Sequence, residues 1–354
     1  MIEIKDKYAD ERHTLVVKSS PRALSDEDLI ADEEVVVVLT RGGYIKRLKP
    51  ESWRMQKRGG KGLIGMETKE EDMVEQLLAC RTHAALLFFT DTGKVYRVAA
   101  HEVPEGSRTA KGKAIFNLLS IGAQERVTSI LAIPKGLKPK GGEMFVVMAT
   151  KDGIMKKVDA ISFETVRASG LIALTIKSGD MLRWARITGG KDEIMLITKQ
   201  GQAIRFYETD IRPMGRQAAG VHAMRMKKDD EVVGMDIITS AESKKIKDKN
   251  TAAVNGKLLA VMENGFGKTT PLTQYKRQHR GGSGIKTAKI TPKTGALVSA
   301  RIIAGEEEEI IAISRKGVVI RTTLATIPSL SRSTQGVRIM KMEEGDAVAS
   351  IITL

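Results

Sequence analysis

The sequence predicts an all-β protein built as a propeller-like array of six four-stranded units. Three observations lead to this prediction: a hairpin pattern centred on glycine occurs six times, a second glycine follows each hairpin at a nearly constant distance, and helical periodicity is nearly absent. Self-similarity at a period of about 50 residues is typical of arrays in which each repeat forms one small sheet. A helix is expected only at the extreme N-terminus.

Each repeat begins with a β-hairpin. An apolar, β-branched run is followed by a short polar turn that ends in glycine, where a positive φ is needed, and then by a second short strand. The six hairpin glycines are Gly43, Gly93, Gly153, Gly201, Gly265 and Gly317. Their successive spacings are 50, 60, 48, 64 and 52 residues.

A second glycine marks the next part of each repeat. These glycines are Gly62, Gly112, Gly170, Gly220, Gly284 and Gly336. The offset from the hairpin glycine is 19 residues in five repeats and 17 in the third. A short strand, an acidic or glycine-containing turn and a final apolar strand follow, which gives four strands per unit. The extra length at 135–143 and 240–257 is interpreted as two surface loops.

Composition indicates a soluble, basic protein. The formal net charge is +15 and the pI is near 9.7, which favours a polyanionic partner. The only cysteine is Cys80, which excludes an internal disulfide framework and fits a reducing cytoplasm. No apolar run is long enough to span a membrane, and the charged N-terminus is unlike a signal peptide. Aromatic residues make up 4% of the chain, so base stacking is not expected to dominate any nucleic-acid binding.

The positive charge is concentrated around the second glycine of each unit. The predicted rim cations are Arg54, Arg108, Lys111, Lys113, Arg167, Arg212, Arg216, Arg225, Lys276, Arg277, Arg280, Lys286, Arg332 and Arg338. Because equivalent positions of a cyclic array lie on one rim, these segments predict a basic belt, with the acidic turns elsewhere. Such a belt suits a bent DNA duplex, whose phosphates release counterions to lysine and arginine. The alternative interpretation is a set of ordinary solvated loops.

One string resembles a known family motif. The segment Gln56-Lys57-Arg58-Gly59-Gly60-Lys61-Gly62 resembles the gyrase A box, usually written QRRGGKG or QRRGGRG, with lysine at the second position. A weaker copy lies at 278–284, and residues 3–14 look like the segment that precedes the C-terminal domain of gyrase A proteins. Across 32–354 the six-unit pattern is similar to that domain, a six-bladed β-pinwheel. The lysine keeps the charge but loses arginine's forked geometry.

The resemblance implies a function and a set of partners. Residues 1–31 would link to a preceding cleavage region, and residues 32–354 would wrap double-stranded DNA around their rim in a right-handed sense. The wrap would present a DNA segment for ATP-driven strand passage and negative supercoiling. The box would lie in a loop of the first blade, beside the last blade. The implied partners are the gyrase A cleavage region in cis and the gyrase B protein, in the cytoplasm at the nucleoid, without a membrane. An acidic tail after the last blade occurs in the family.

No catalytic or metal site is predicted for this chain. The string 265–270, GFGKTT, lacks the first glycine of a phosphate-binding loop because Met262 stands there. The five histidines show no paired ligand spacing, and no tyrosine directly follows an arginine, as the family's cleaving tyrosine does. The chain is therefore expected to need no cofactor of its own, with ATP and Mg²⁺ used by the holoenzyme.

Two alternatives to a gyrase domain remain open on the sequence. The first is the corresponding domain of the A protein of topoisomerase IV, which generally lacks an intact box. The second, from another functional class, is a propeller-like module that binds acidic proteins. A steep loss of affinity with salt would favour DNA over a protein partner.

Overall fold

A computed structural model describes residues 2–8, 29–49, 74–107, 110–134, 144–247, 256–303, 309–316 and 318–353. In the first three units the strands are β1 Glu34–Thr40, β2 Tyr44–Leu48, β3 Val74–Arg81, β4 Ala85–Thr90, β5 Lys94–Ala99, β6 Lys113–Ala114, β7 Val127–Ile133, β8 Phe145–Thr150, β9 Ile154–Asp159, β10 Leu171–Ile172 and β11 Leu182–Thr188. In the last three they are β12 Glu193–Thr198, β13 Gln202–Tyr207, β14 Val221–His222, β15 Val232–Ile238, β16 Lys257–Met262, β17 Phe266–Pro271, β18 Ile285–Lys286, β19 Leu297–Ile303, β20 Glu309–Ser314, β21 Val319–Thr323, β22 Val337–Arg338 and β23 Val348–Thr353. The α-helices in the described part of the chain are α1 Ile2–Tyr8 and α2 Ser240–Lys247.

The strands form six blades, which confirms the all-β, six-bladed prediction. Five blades are four-stranded antiparallel sheets, and the sixth has three strands within the described residues. In every blade the first strand of the unit is central, the last strand lies on one side and the second strand lies on the other. The last strands of consecutive units pack against one another, from β3 through β7, β11, β15 and β19 to β23. These last strands therefore face the axis of the array.

The fourth strand of each four-stranded blade comes from the next unit. The two-residue strand β6 of unit two pairs with β2 of unit one, and β10, β14, β18 and β22 pair in the same way with β5, β9, β13 and β17. The sequence analysis assigned all four strands of a blade to one unit, so this exchange is a correction to it. The two-residue strand and its second glycine thus lie at the outer edge of the preceding blade.

Hydrophobic cores lie between neighbouring blades. One cluster joins Val147 and Ala149 of β8 to Ile194 and Leu196 of β12. The alternate residues of β8, including Val146, face β4 of the preceding blade. A strand sandwiched in this way is apolar on both faces, which explains why β8 and β12 are buried at every position.

Carboxylates of the acidic turns accept hydrogen bonds from the backbone of the hairpin turns. Asp180 accepts hydrogen bonds at 3.0 Å from the backbone N–H of Asp152, in the hairpin turn, and at 2.8 Å from that of Met181. Asp230 and Asp346 make equivalent contacts in units four and six. The acids are thus structural and lie beside the hairpin turns on the side of the last strands, whereas the exchanged strands pair on the other side of the blade, as Val221 does with Met155.

One predicted loop contains a helix instead. Residues 240–247 form α2, which a capping box at Thr239 begins: Glu242 accepts from the Thr239 N–H at 2.7 Å, and Thr239 accepts from the Glu242 N–H at 3.3 Å. Ser243 then donates to the buried carboxylate of Glu193 at 2.5 Å. The pattern Thr-Ser-Ala-Glu at 239–242 was the signal that the loop prediction overlooked.

Candidate nucleic-acid interface

The basic segments lie on the outer edge of the array. We call the stretch between the 3₁₀ turn that follows the second strand and the two-residue strand the rim loop. In units two to six the rim loops are 103–112, of which 108 and 109 lie outside the described residues, 164–170, 211–220, 275–284 and 327–336. Each rim loop packs on the second strand of the preceding blade, as where the Met214 N–H donates to the Lys157 carbonyl at 2.8 Å. Lys113, Lys286 and Arg338 are themselves on exchanged strands. The rim loops, the exchanged strands and the short segments that follow those strands together are the basic rim.

Most of the predicted rim cations that the structure describes are exposed. The exposed ones are Lys111, Lys113, Arg167, Arg212, Arg225, Lys276, Arg277, Arg280, Lys286 and Arg338. Arg216 and Arg332 are half-buried. Arg54, Arg108 and the box residues Gln56, Lys57, Arg58, Gly59, Gly60, Lys61 and Gly62 lie outside the described residues, so their roles stay predictions.

Hydrogen bonds connect the segment that follows each exchanged strand to the rim loop of the next unit. Between units two and three, the Ser120 N–H donates to the Ala168 carbonyl at 3.1 Å. Between units three and four, the Thr175 hydroxyl donates to the Gln217 carbonyl at 2.8 Å. Units four and five are joined by Arg225 N–H to Gly282 O at 2.9 Å, and units five and six by Lys289 N–H to Thr334 O at 3.1 Å. The basic rim is therefore a connected surface from unit two to unit six.

Several rim arginines share an alignment that the sequence analysis missed. Five of them stand four residues before the second glycine of their unit: Arg58, Arg108, Arg216, Arg280 and Arg332. The third unit, whose offset is two residues shorter, has Arg167 three residues before Gly170. One arginine thus recurs at this place in every unit.

Some of these side chains are held by the protein itself. Arg280 donates from Nε to the Asp210 carbonyl at 2.8 Å and from Nη1 to the His222 carbonyl at 3.1 Å. Arg277 lies with its Nε 3.7 Å from Glu193 and its guanidinium 4.8 Å from the centre of the Tyr207 ring. The Arg277 guanidinium is thus held at a buried carboxylate although the residue is exposed at the rim. Arg167 and Arg225 have no ion-pair partner among the described residues.

A cleft on the rim contains an unsatisfied arginine nitrogen. Leu171 and Ile172 of β10 face Gly215, Arg216 and Gln217 across a cleft of about 430 Å³. The Nη1 of Arg216 is buried there without a hydrogen-bond partner among the described residues. A buried donor of this kind is costly unless it is paired, so an incoming anion oxygen would be a favourable partner.

Three buried lysines beneath the rim were not anticipated. The Nζ of Lys156 in β9 donates to the carbonyl oxygens of Ala173 at 2.7 Å, of Arg216 and of Ala218 at 3.0 Å. Burial, with Arg216 nearby, lowers the pKa of Lys156 to about 8. The ammonium group thus fastens the rim loop of unit four to the blade of unit three.

The equivalent lysines of units one and five do the same. The Nζ of Lys268 donates to the carbonyls of Ser331 at 2.7 Å and Arg332 at 2.6 Å, and that of Lys46 to the carbonyl of Ala110 at 2.6 Å. Burial lowers the pKa of Lys268 to about 8, again with an arginine of the loop contributing, and burial lowers the pKa of Lys46. In the sequence these lysines share one position, three residues after the hairpin glycine of every odd-numbered unit, a pattern that does not by itself indicate burial.

The residues considered as candidates for nucleotide binding, catalysis or metal binding lie in ordinary strand and core positions. The string 265–270 forms the last residue of the fifth hairpin turn and most of β17, with its lysine, Lys268, buried. Tyr96 is buried and donates from its hydroxyl to Glu125 at 3.0 Å, while burial raises the pKa of the Cys80 thiol to about 11. The described residues contain no group of three or more histidine, cysteine or acidic side chains that could hold a metal ion. Neither described helix has the length and apolar character of a membrane-spanning segment.

Comparison with known proteins agrees with this architecture. The family model for the DNA gyrase C-terminal domain, beta-propeller, matches residues 34–81, 84–134, 145–188, 192–239, 258–304 and 308–354. The chain is 38% identical over 351 residues to the DNA gyrase A protein of Staphylococcus epidermidis, with 99% of this chain and 38% of that protein covered. For the DNA gyrase A protein of Mycolicibacterium smegmatis the identity is 39%, with 99% and 39% covered. The chain therefore spans less than two fifths of these relatives.

Two solved structures share the fold. A DNA gyrase A C-terminal domain superposes with a TM-score of 0.69 at 25% identity, covering 91% of this chain and all of the other, 100%. The C-terminal domain of a DNA topoisomerase IV superposes with a TM-score of 0.72 at 22% identity, covering 92% and 94%.

The fold and the site together define a class: a β-propeller whose blades exchange edge strands and whose outer edge is basic. The six family matches, one per unit, and the relatives at 38% identity and above say which family this is. The chain belongs to the DNA gyrase A C-terminal domain family.

Proposed function

We propose that this chain binds duplex DNA along the basic rim and wraps it in a right-handed sense. The observation that carries the proposal is the connected rim of units two to six, on which exposed lysines and arginines recur once per blade. The acidic turns precede the last strands and so lie on the opposite side of each blade from the exchanged strands. Family membership supports the same assignment.

A curved cationic surface of this kind offsets the cost of bending DNA. Bending a site of 20–30 base pairs costs on the order of 1–6 kcal/mol, and many weak phosphate contacts along a preformed curve can supply that free energy. No described element resembles a base-reading helix, so the binding should be largely independent of sequence, with a preference for bendable DNA.

Within a complete gyrase, the wrapped segment would be presented for ATP-driven strand passage. The partners proposed are the cleavage region of the gyrase A protein and the gyrase B protein, with ATP and Mg²⁺ acting in those parts of the holoenzyme. The chain itself is proposed to act without a catalytic site, in the cytoplasm at the nucleoid. The box at 56–62 is proposed to help close the wrap beside the last blade.

The test is topological. The purified chain is bound to nicked circular plasmid at low salt, the nick is ligated, the protein is removed and the linking number is read on a gel. We expect a positive shift that grows with protein concentration, and a smaller shift for a variant whose residues 56–62 are all alanine. Binding without a shift would favour the topoisomerase IV domain, which also shares the fold. If the chain does not bind DNA at all, the result would favour the alternative of a propeller-like module that binds acidic proteins.

A further inference from the structure

The buried lysines alternate around the array. Odd-numbered units carry lysine at the third residue after the hairpin glycine, and the other units carry an uncharged residue there. The lysines are Lys46, Lys156 and Lys268; the uncharged residues are Tyr96, Ile204 and Ile320. Because each rim loop packs on the preceding blade, the lysines lie under the rim loops of units two, four and six.

Each lysine fixes the direction of the peptide groups above it. A trans peptide places its N–H opposite its carbonyl oxygen, and the described chain has no cis peptide bond. The carbonyls of Arg216 and Ala218 point inward to Lys156, so the N–H groups of Gln217 and Ala219 point away from it. Both of these residues are exposed, and no acceptor within the described chain takes either N–H.

The loop of unit six has the same arrangement. The Arg332 carbonyl points to Lys268, and the N–H of the exposed Ser333 has no acceptor in the described part of the chain. Outward N–H groups beside an arginine are the donors that phosphate oxygens take from a protein backbone. By holding the loop carbonyls inward, the lysines therefore turn backbone N–H donors of the rim loop toward the surface. They also place a positive charge beneath that surface.

The charge of these ammonium groups is not neutralised by an acid. Within the described residues, neither Lys156 nor Lys268 has a carboxylate oxygen at ion-pair distance, and the charged groups acting on them are Arg216 and Arg332. The neighbouring Lys157 lies 3.8 Å from Glu208 and belongs to a separate buried pair.

The edge strands beside these lysines also contribute no acid. His222 on β14 is exposed, and Arg338 on β22 lies 5.6 Å from the centre of the Phe266 ring. The strands β8 and β16, which pair with β9 and β17 on the other side, contain no acidic residue. An approaching polyanion would thus be the first negative charge that these ammonium groups meet.

We propose that Lys46, Lys156 and Lys268 are positioning residues for DNA binding, which hold the rim loops of units two, four and six with their N–H groups turned toward the phosphates. This inference rests on the proposed DNA-binding function. Only a charged ammonium has the three hydrogens that three acceptors require, so the arrangement depends on the bound proton. The loops of units three and five pack on Tyr96 and Ile204 instead and contact DNA without this coupling.

The coupling has a definite sign. A phosphate near the loop favours the charged lysine and raises its pKa in the complex above the value of the free protein. Protons are then taken up on binding at pH values near and above 8, and the affinity falls as the pH rises through that range. Below pH 7 both states carry the proton and the affinity does not change from this cause.

The first measurement uses the unaltered chain. Titration calorimetry with a duplex of about 40 base pairs at pH 8, in two buffers of different ionisation enthalpy, gives the number of protons taken up. We expect net uptake at pH 8, together with a loss of affinity of about threefold or more between pH 7 and pH 9. Tight binding with no uptake at pH 8 would overturn the inference while leaving DNA binding intact. Absence of any binding would overturn the proposed function as well.

The second measurement compares two double variants that each remove two positive charges. Lys156→Met with Lys268→Met should weaken binding at pH 7 by about tenfold and lower the proton uptake, with Lys46 left to supply the remainder. The control, Lys177→Met with Lys191→Met, removes exposed lysines from the acidic turn before β11 and from the linker before β12, and should keep the uptake. Equal behaviour of the two variants would contradict the proposal. If the buried variant does not fold, the calorimetry on the unaltered chain decides.

Discussion

The ion pair around Glu193 shows how a charge is tolerated inside this fold. Glu193 is fully buried, and its carboxylate accepts from Arg205 Nε at 2.5 Å and from the Ser243 hydroxyl at 2.5 Å. Arg205 is itself buried and donates from Nη1 to the Leu272 carbonyl at 3.1 Å. Removing one member of such a buried pair leaves the other charge uncompensated.

We therefore predict that Glu193→Gln destabilises the chain by about 3–5 kcal/mol. The matched control is Glu309→Gln, which breaks the ion pair with Arg321, a partly exposed pair on β20 and β21, and should cost less than about 1 kcal/mol. Urea unfolding followed by circular dichroism measures both. Similar midpoints for the two variants would show that the buried pair adds no more than an exposed one.

At the scale of the element, the exchanged strand makes one unit depend on the next. Gly220 precedes β14, has φ +84°, and a Cβ there would lie 2.6 Å from the Met155 carbonyl oxygen in β9. That close approach is required for β14 to pair with β9, as Val221 does opposite Met155.

Gly220→Ala should therefore loosen the blade of unit three although the substitution is in unit four. We expect the amides of β9 to exchange about tenfold faster or more in hydrogen-exchange mass spectrometry, with β13 unchanged. Gly179→Ala is the control, since Gly179 has φ +86° but no atom within 4 Å of its would-be Cβ. Faster exchange in β13 alone would mean that the blades do not share their edges in solution.

The sequence predicted the elements that depend on local chemistry and missed those that depend on long-range pairing. The hairpins follow from their own residues: the Thr150 hydroxyl accepts from the Ile154 N–H at 3.1 Å across the turn, and the glycine supplies the positive φ. The partner of a two-residue strand such as β14 is decided by how the units stack, which no local pattern contains. A lysine in a strand ordinarily indicates a solvated face, so the burial of Lys156 could not be foreseen without the loop above it.

At the scale of the whole molecule, DNA affinity should be a sum over separate blades. Exposed cations on three different blades, Arg167, Arg225 and Lys286, have no ion-pair partner among the described residues. Each change to alanine should lower the slope of log affinity against log salt by about one, and the triple variant should lower it by about three.

Arg277→Ala provides the contrast within the same predicted belt. Because Arg277 contacts Glu193 and Tyr207, its loss should leave the salt slope nearly unchanged. Filter binding or fluorescence anisotropy over a range of about 50 to 300 mM salt measures both sets. A slope that falls equally for Arg277→Ala would place that side chain on the DNA path.

The exchange of edge strands also has a mechanical consequence. Bent DNA tends to straighten, and a duplex held on the rim would pull the rim loops outward. In units two to six each rim loop is continuous with a strand that is hydrogen-bonded to the preceding blade, while its own chain runs on to a last strand beside the axis. A pull on one blade would thereby pass to the centre of its neighbour, so the elastic recoil of wrapped DNA would be resisted by the interlocked array and not by any one sheet.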